Sequence, residues 1–465
     1  MTEAEFDEME QYSGKLVKTL RVEIQDQPGA FAALASAIGV EGALLGDIVR
    51  VRITSHVVIR DVTVYVEDDS HLNRIIEAVR GLSQVTLMDV RDEVQAIHRG
   101  GKIMVTSRVP LRTVADLRMI YTPGVAQVCQ AIQNDPGLAY ELTSIGNSVA
   151  VVTNGTAVLG LGDIGIRAGM PVMEGKAVIL VEMGQVSAFP ILVETHEPKA
   201  LIETVERIAH TFGAILLEDI AAPACFEVEQ TLIDRLDMPV FHDDQHGTAV
   251  VALAALRNAL RQVGKTMESV RVVINGAGAA GVAIARMLLE HGTGDVILCD
   301  RAGAIWQGRT EHMNRWKEEL AGNTNRDRCH GNLAEALTGS DVFIGVSGPN
   351  LVSRQMVSSM ASGAVVLALA NPVPEIRPQD ALAAGAAVVA DGRSINNALG
   401  FPGIFRGTLD ARARRINRQM LAAASTALAD MGAPEHLVPD FMDRSVHRRV
   451  AEAVKSAAVE SGAAL

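Results

Sequence analysis

Cysteine is scarce in this chain of 465 residues: Cys129, Cys225, Cys299 and Cys329 stand far apart and form no CxxC pair. That spacing offers neither a disulfide framework nor a thiolate zinc centre, and reduced thiols in the cytoplasm are expected. Basic residues are also in deficit, and the formal net charge of -13 speaks against a polyanionic partner, so no nucleic acid is expected. No apolar run approaches the length of a membrane span, and the opening MTEAEFDEMEQ is acidic and polar. Neither export nor membrane insertion is expected from it. Aromatic residues reach only 3%, while Ala, Val, Ile and Leu abound, a balance that suits helices packed on parallel sheets. With 48% hydrophobic and 21% charged residues, the chain has core enough for two or three globular domains.

Two acidic clusters, LLEDIAAP and FHDDQHGTA, carry the densest chemistry. Each follows a short apolar run, Ala214 to Leu217 and Met238 to Phe241, that reads as a buried strand, so Glu218, Asp219, Asp243 and Asp244 stand at strand ends. Carboxylates gathered without a cation repel and take up protons, whereas Mg²⁺ or Mn²⁺ prefers a few oxygen ligands with positions left open. A bland reading competes with this one: Asp and Glu terminate strands and cap the helices that follow. His242 and His246 as zinc ligands are the weaker option, because no Glu follows the first His as HExxH requires.

The first hundred residues read strand, helix, strand, strand, helix, strand, with a helix opened by the turn at Asp26, Pro28 and Gly29. This segment resembles an ACT domain, in which such a DxPG turn and a following glycine segment, here Gly39, Gly42 and Gly46, shape a small-molecule effector site between paired modules. The resemblance implies regulation by an amino acid or similar metabolite, with Asp26, Gly29, Gly42 and Gly46 as effector residues. A purely structural dimerisation role is the competing reading.

In the middle of the chain, Tyr121 precedes Thr122, Pro123 and Gly124 at an expected helix start. A Val-rich hairpin with Asn154 and Gly155 as its turn is expected next, and Lys176 is expected to open a buried apolar strand. A lysine so placed either snorkels at the strand edge or is desolvated enough for its pKa to fall into a useful range. From Arg271, RVVINGAGAAGVAIARML places Gly276, Gly278 and Gly281 between a strand and a helix, and Asp300 ends the next strand. A dinucleotide site is expected there: the loop from Gly276 through Ala279, Ala280 and Gly281 approaches the pyrophosphate and Asp300 the adenosine ribose. Asp300 favours NAD, while Arg301 beside it leaves NADP open. The later strands, alternating with helices, predict a doubly wound parallel sheet with Ser347, Asn371 and Asn397 near its carboxyl edge.

The ordered set YTPGVA, VLGLGDIG, GMPVMEGKA, LEDIAAP and FHDDQHGTA resembles the malic enzyme family. The resemblance implies oxidative decarboxylation of L-malate to pyruvate and CO₂ with a nicotinamide cofactor and Mg²⁺ or Mn²⁺. It implies Glu218, Asp219 and Asp244 as metal ligands, Lys176 as general base and Tyr121 as general acid. Asp243 falls beside the lysine, Ser347 and Asn371 on the cofactor, and Asn371 with Asn397 on substrate. In one place the chain departs from the family pattern: many eukaryotic members carry a substrate-anchoring arginine where this chain has Ala157. Arg167 is a nearby cation whose position does not match the motif.

The expected architecture is therefore α/β throughout: an ACT-like regulatory module over residues 1–98, a substrate and metal domain over 99–255, and a Rossmann-type domain with C-terminal helices over 256–465. A homodimer or larger homo-oligomer is expected. The alternatives are a malolactic enzyme releasing lactate and a metabolite sensor with an inactive enzyme body.

Overall fold

Alternating apolar residues in the first hundred positions build a sheet with one covered face. In the computed structural model, which describes residues 14–158, 160–433 and 436–465, the chain divides into two units, Thr2–Lys102 and Ile103–Leu465. The acidic N-terminal stretch lies outside the described residues. In the first unit, strands β1 (Leu16–Gln25), β2 (Leu44–Ile53), β3 (Val57–Val66) and β4 (Val85–Asp92) pair in the order β2-β3-β1-β4. Every pairing is antiparallel. Leu20, Val22, Ile24, Val62 and Val64 point from the central strands into a core shared with helices Ala30–Val40 and Asp69–Arg80. Strand β2 runs along an edge and leaves Val49, Val51 and Ile53 exposed.

In the second unit, β5 (Ser148–Thr153), β6 (Ser187–Leu192), β7 (Ala214–Leu217) and β8 (Val240–His242) form an all-parallel sheet in the order β6-β5-β7-β8. The expected hairpin at Asn154 and Gly155 does not form. Strand β5 lies between β6 and β7 with every residue buried, so its hydrogen bonds go to parallel neighbours, and the turn signal only redirects the chain. Lys176 likewise does not open a strand. It lies inside the twenty-residue helix Gly165–Gly184, which tolerates Pro171 near its start.

The second sheet takes β9 (Arg271–Asn275), β10 (Asp295–Asp300), β11 (Gly303–Ala304), β12 (Val342–Gly345), β13 (Val365–Ala368) and β14 (Val388–Asp391) in the order β11-β10-β9-β12-β13-β14. All but β11 are parallel. The order reverses at β9 and β12, which places the ligand crevice beyond Asn275 and Gly345. Helix Thr248–Val263 joins the two sheets. Its buried face, from Ala249 to Leu260, belongs to the same apolar core as β5, β7 and β9, and the expected boundary between residues 255 and 256 falls within it.

Candidate active site

Parallel strands deliver the residues that follow them to one edge of a sheet, and here that edge is acidic. Glu218 and Asp219 come directly after β7, and Asp243 and Asp244 directly after β8, in a wide turn, Asp243–Gly247, that runs into helix Thr248–Val263. One carboxylate oxygen from each of Glu218, Asp219 and Asp244 lies within 4.8 Å of the others. Asp219 adopts a left-handed backbone, φ 52°, which Asp tolerates better than most residues, and its N–H donates to Asp244 Oδ2 at 2.9 Å. The two clusters are thereby tied together. Asp244 bonds across to Asp219 rather than back onto the helix that follows it, so capping does not account for its position.

Lys176 reaches this group from the side. Its Nζ donates to Asp243 Oδ2 at 2.6 Å, lies 2.9 Å from Glu218 Oε1, and sits 4.4 Å from the centre of the Phe401 ring. Burial by itself would push the lysine pKa down, but the charges of Asp243 and Glu218 outweigh it and hold the ammonium above its usual range. The downward shift that one of the two sequence readings allowed is thus reversed, because the sequence does not reveal how many carboxylates face this lysine. For Glu218, burial and then the neighbouring acids overcome Lys176 and raise its carboxyl well above the ordinary value.

These residues fit a divalent cation. One lysine faces Glu218, Asp243 and Asp244, and Glu218 Oε2 and Asp243 Oδ1 are buried without a hydrogen-bond partner. Buried carboxylate oxygens left unsatisfied are costly, and a hard cation with oxygen ligands relieves that cost. The cluster is held from behind by Glu229, which the sequence reading missed. It accepts from the His242 N–H at 2.8 Å and from His246 Nε2 at 3.1 Å. His246 Nε2 is taken by Glu229, and the group of three side chains that could hold a metal among the described residues is Glu218, Asp219 and Asp244, which includes neither His242 nor His246.

At the second sheet, a Cβ on Gly281 would overlap the Gly276 carbonyl, and one on Gly276, φ 120°, would crowd Val346. Nothing lies within 4 Å of the Cβ position of Gly278, so the space beside helix Ala279–Glu290 stays open for a pyrophosphate. Ala279 and Ala280 form the half-buried first turn of that helix. Asp300 ends β10, with Arg301 exposed after it. The Asp300 carboxylate accepts from Arg309 at 2.5 Å, Lys317 at 2.7 Å and the Ala302 N–H at 3.0 Å. Burial opposes its charge, but the bonds from Lys317 and Arg309 prevail and keep the carboxyl below its usual range.

Ser347 accepts from Asn275 Nδ2 at 2.8 Å, and its N–H donates to Glu375, a fully buried acid that also accepts from the Ala370 N–H at 3.1 Å. Glu375 thus fixes the loops after β12 and β13. An acid inside LANPVPE is the one sequence signal that marks it. Asn371 is exposed beside Gly160, and Asn397 packs against Gly247 at the end of the acidic turn.

Tyr121 is not brought into this group. It closes helix Val114–Ile120 and stands just ahead of helix Val125–Asn134, whose start after Gly124 is the one the sequence predicts; it is 68% exposed, and its hydroxyl makes no hydrogen bond among the described residues. Arg167 is also exposed. In the first unit, Asp26 and Gly29 lie at the start of helix Ala30–Val40 and Gly42 beyond its end, with Gly46 against the Tyr65 ring. An eleven-residue helix is about 16 Å long, so these four do not form one pocket within a single copy.

Two family models match the chain: malic enzyme, N-terminal domain, over residues 100–200, and malic enzyme, NAD binding domain, over residues 245–459. An NAD-dependent malic enzyme of Geobacillus stearothermophilus is 46% identical, with 96% of this chain and 95% of the relative covered. A bifunctional malic/malolactic enzyme of Bacillus subtilis is 48% identical over 81% of this chain and 95% of its own length. Among solved structures, the NAD-dependent malic enzyme of Thermotoga maritima superposes with a TM-score of 0.76 at 44% identity, covering 78% of this chain and 98% of that one.

Proposed function

Because the chain belongs to the malic enzyme family, we propose that it oxidises and decarboxylates L-malate to pyruvate and CO₂ with reduction of NAD, in the cytoplasm. The observation that carries this is the union of a buried lysine with carboxylates from two strand ends. Glu218, Asp219 and Asp244 would hold Mg²⁺ or Mn²⁺. When bound, the cation would supply positive charge that offsets the carboxylates now confining the Lys176 proton, and the nucleotide would supply the acceptor for the C2 hydride. Lys176, positioned by Asp243, takes the proton from the C2 hydroxyl. Tyr121 returns a proton to C3 after CO₂ has left. Asn371 and Asn397 orient the substrate, and Gly276, Gly278, Ala279, Ala280 and Gly281 receive the pyrophosphate, with Ser347 and Asn371 toward the nicotinamide. With Ala157 in place of the arginine, these asparagines carry more of the anchoring. The functional division follows as residues 1–98, 99–255 and 256–465.

The role given to Tyr121 requires its arm to be covered. Met104, Val105, Val114 and Met119 are exposed along the same stretch, which is the kind of surface a homo-oligomer buries. The first unit acts as an ACT-like regulator whose Asp26, Gly29, Gly42 and Gly46 meet across a pair of copies to take an amino acid or similar metabolite. Calorimetry and turnover measured across such metabolites should reveal one that binds and changes the rate. A flat response throughout would remove the regulator and leave the enzyme.

Reduced nucleotide formed from malate and Mn²⁺ tests the main reading, with NAD the better substrate. Asp300, below its usual carboxyl range, stays charged and disfavours a 2′-phosphate, but Arg309 and Lys317 offset it, so Asp300→Ala should move the ratio of kcat/KM toward NADP by about tenfold or more. An unchanged ratio would take Asp300 out of the ribose site. The likeness to a malic/malolactic enzyme supports a second reading, release of lactate, which product analysis separates from the first.

Among the described residues no helix is long and apolar enough to cross a membrane.

A further inference from the structure

Behind the acidic turn lies a cavity of about 200 Å³ that the malate chemistry does not use. Helix Ala224–Arg235 contributes Phe226 and Glu229 to its wall, the turn Asp243–Gly247 contributes Gln245 and His246, and helix Ala279–Glu290 contributes Arg286. Trp316 lines it too, with the Arg286 guanidinium 5.2 Å from the ring centre. Much of this wall is already paired. Glu229 holds His246, Arg286 Nη2 donates to Glu319 at 2.8 Å, and Arg418 at the mouth pairs with Glu290 at 2.9 Å. Two donors are not: Gln245 Nε2, on a side chain that is 2% exposed, and Arg286 Nε are buried with no acceptor. Unsatisfied buried donors cost free energy that an incoming acceptor recovers. A carboxylate is one acceptor that answers an amide and a guanidinium together, and its small planar head suits a cavity of this size. Phe226 and Trp316 offer apolar faces for the remainder of such a molecule.

We propose that this cavity is a second ligand site, for a small carboxylate with an apolar or aromatic body, and that its occupancy regulates the metal site. The coupling is short. Gln245 and His246 belong to the same five-residue turn as Asp243 and Asp244, and Glu229 anchors that turn at both His242 and His246. A ligand bonded to Gln245 acts on the turn that positions Asp244, and linkage requires metal binding to act back on the ligand equally. The binding site stands independently of the catalytic reading, while the coupling rests on the metal assignment.

The two tryptophans of the chain, Trp306 and Trp316, make the cavity observable. In the full-length protein carrying Trp306→Phe, 3-phenylpropionate is titrated against Trp316 emission with saturating malate and Mn²⁺ present, so that the substrate site is filled. A saturable change is expected, with 3-phenylpropanol at least about tenfold weaker because it lacks the second oxygen and the charge. Ala283→Leu, which fills the cavity, and Arg286→Met, which removes the guanidinium donor, should each weaken the acid by about tenfold or more. The concentration of Mn²⁺ for half-maximal turnover should shift about fivefold in the presence of the acid. No saturable change, equal affinity for acid and alcohol, or undiminished binding in both variants would overturn the site. Binding that leaves the Mn²⁺ requirement unmoved would overturn its regulatory role. Loss of malate turnover in the parent protein with the Trp316 response intact would count against the catalytic reading alone.

Discussion

Lys176→Ala is expected to lower kcat by about 10²–10⁴-fold, the range for removal of a positioned proton-transfer group. The native side chain is buried, its ammonium shared between Asp243 and Glu218. The ionisable groups that Lys176 bonds, Asp243 and Glu218, are acids that it holds in place. Lys176→Arg should not restore turnover, since a guanidinium does not give up its proton in a protein. Removing the cation also leaves buried carboxylates facing one another. The metal-free variant should therefore be less stable by about 3–5 kcal/mol, the usual result of breaking a buried pair, and Mn²⁺ should recover part of the loss. Steady-state kinetics and denaturant unfolding with and without Mn²⁺ measure both effects. Turnover within a few-fold of the parent would remove Lys176 from the proton transfer.

Asp244→Ala should abolish malate turnover and, with it, the stabilisation that Mn²⁺ confers. A ligand bound only by the native state at a hundred times its dissociation constant adds about 2.7 kcal/mol, so the parent protein should melt at a higher temperature with Mn²⁺ than with a chelator. The variant should melt at one temperature under both conditions. Asp244 also accepts from the Asp219 N–H, so a structural role alone would lower both melting temperatures equally and leave their separation intact. That preserved separation, or turnover that survives exhaustive chelation, would end the metal assignment.

How much of this was legible in the sequence differs from residue to residue. Glu218, Asp219, Asp243 and Asp244 were visible because short apolar runs followed at once by acids read as strands ending at a sheet edge, and β7 and β8 end there. The dinucleotide loop was visible because its glycines stand between an apolar strand and a helix with Asp300 ending the next strand, and the structure adds that a Cβ on Gly276 or Gly281 would clash. Lys176 was legible as a residue but misread as an element. MPVMEGKAVIL carries Pro, Gly and β-branched residues that disfavour a helix locally, yet helix Gly165–Gly184 buries Met173, Lys176, Ala177 and Leu180 along one face, and packing outweighed propensity. The Asn154 and Gly155 turn failed for a similar reason, since β5 found better partners in β6 and β7 than in the chain that follows it. Glu229 and Glu375 gave almost no signal, because a buried acid is defined by the backbone N–H groups around it.

The sequence by itself determined the chemical inventory: which acids, which glycines and which lysine exist, and that short apolar strands carry several of them to sheet edges. Only the tertiary structure decided that Lys176 enters among three acids and is held protonated by them, that Asp300 is shared by Arg309 and Lys317, and that Tyr121 stands exposed on its arm. The physical reason is range. Strand ends and glycine turns are set by neighbours a few residues away, whereas the charge state of a buried group is set by every side chain within a few ångströms, and those come from 42 and 67 positions along the chain for Lys176.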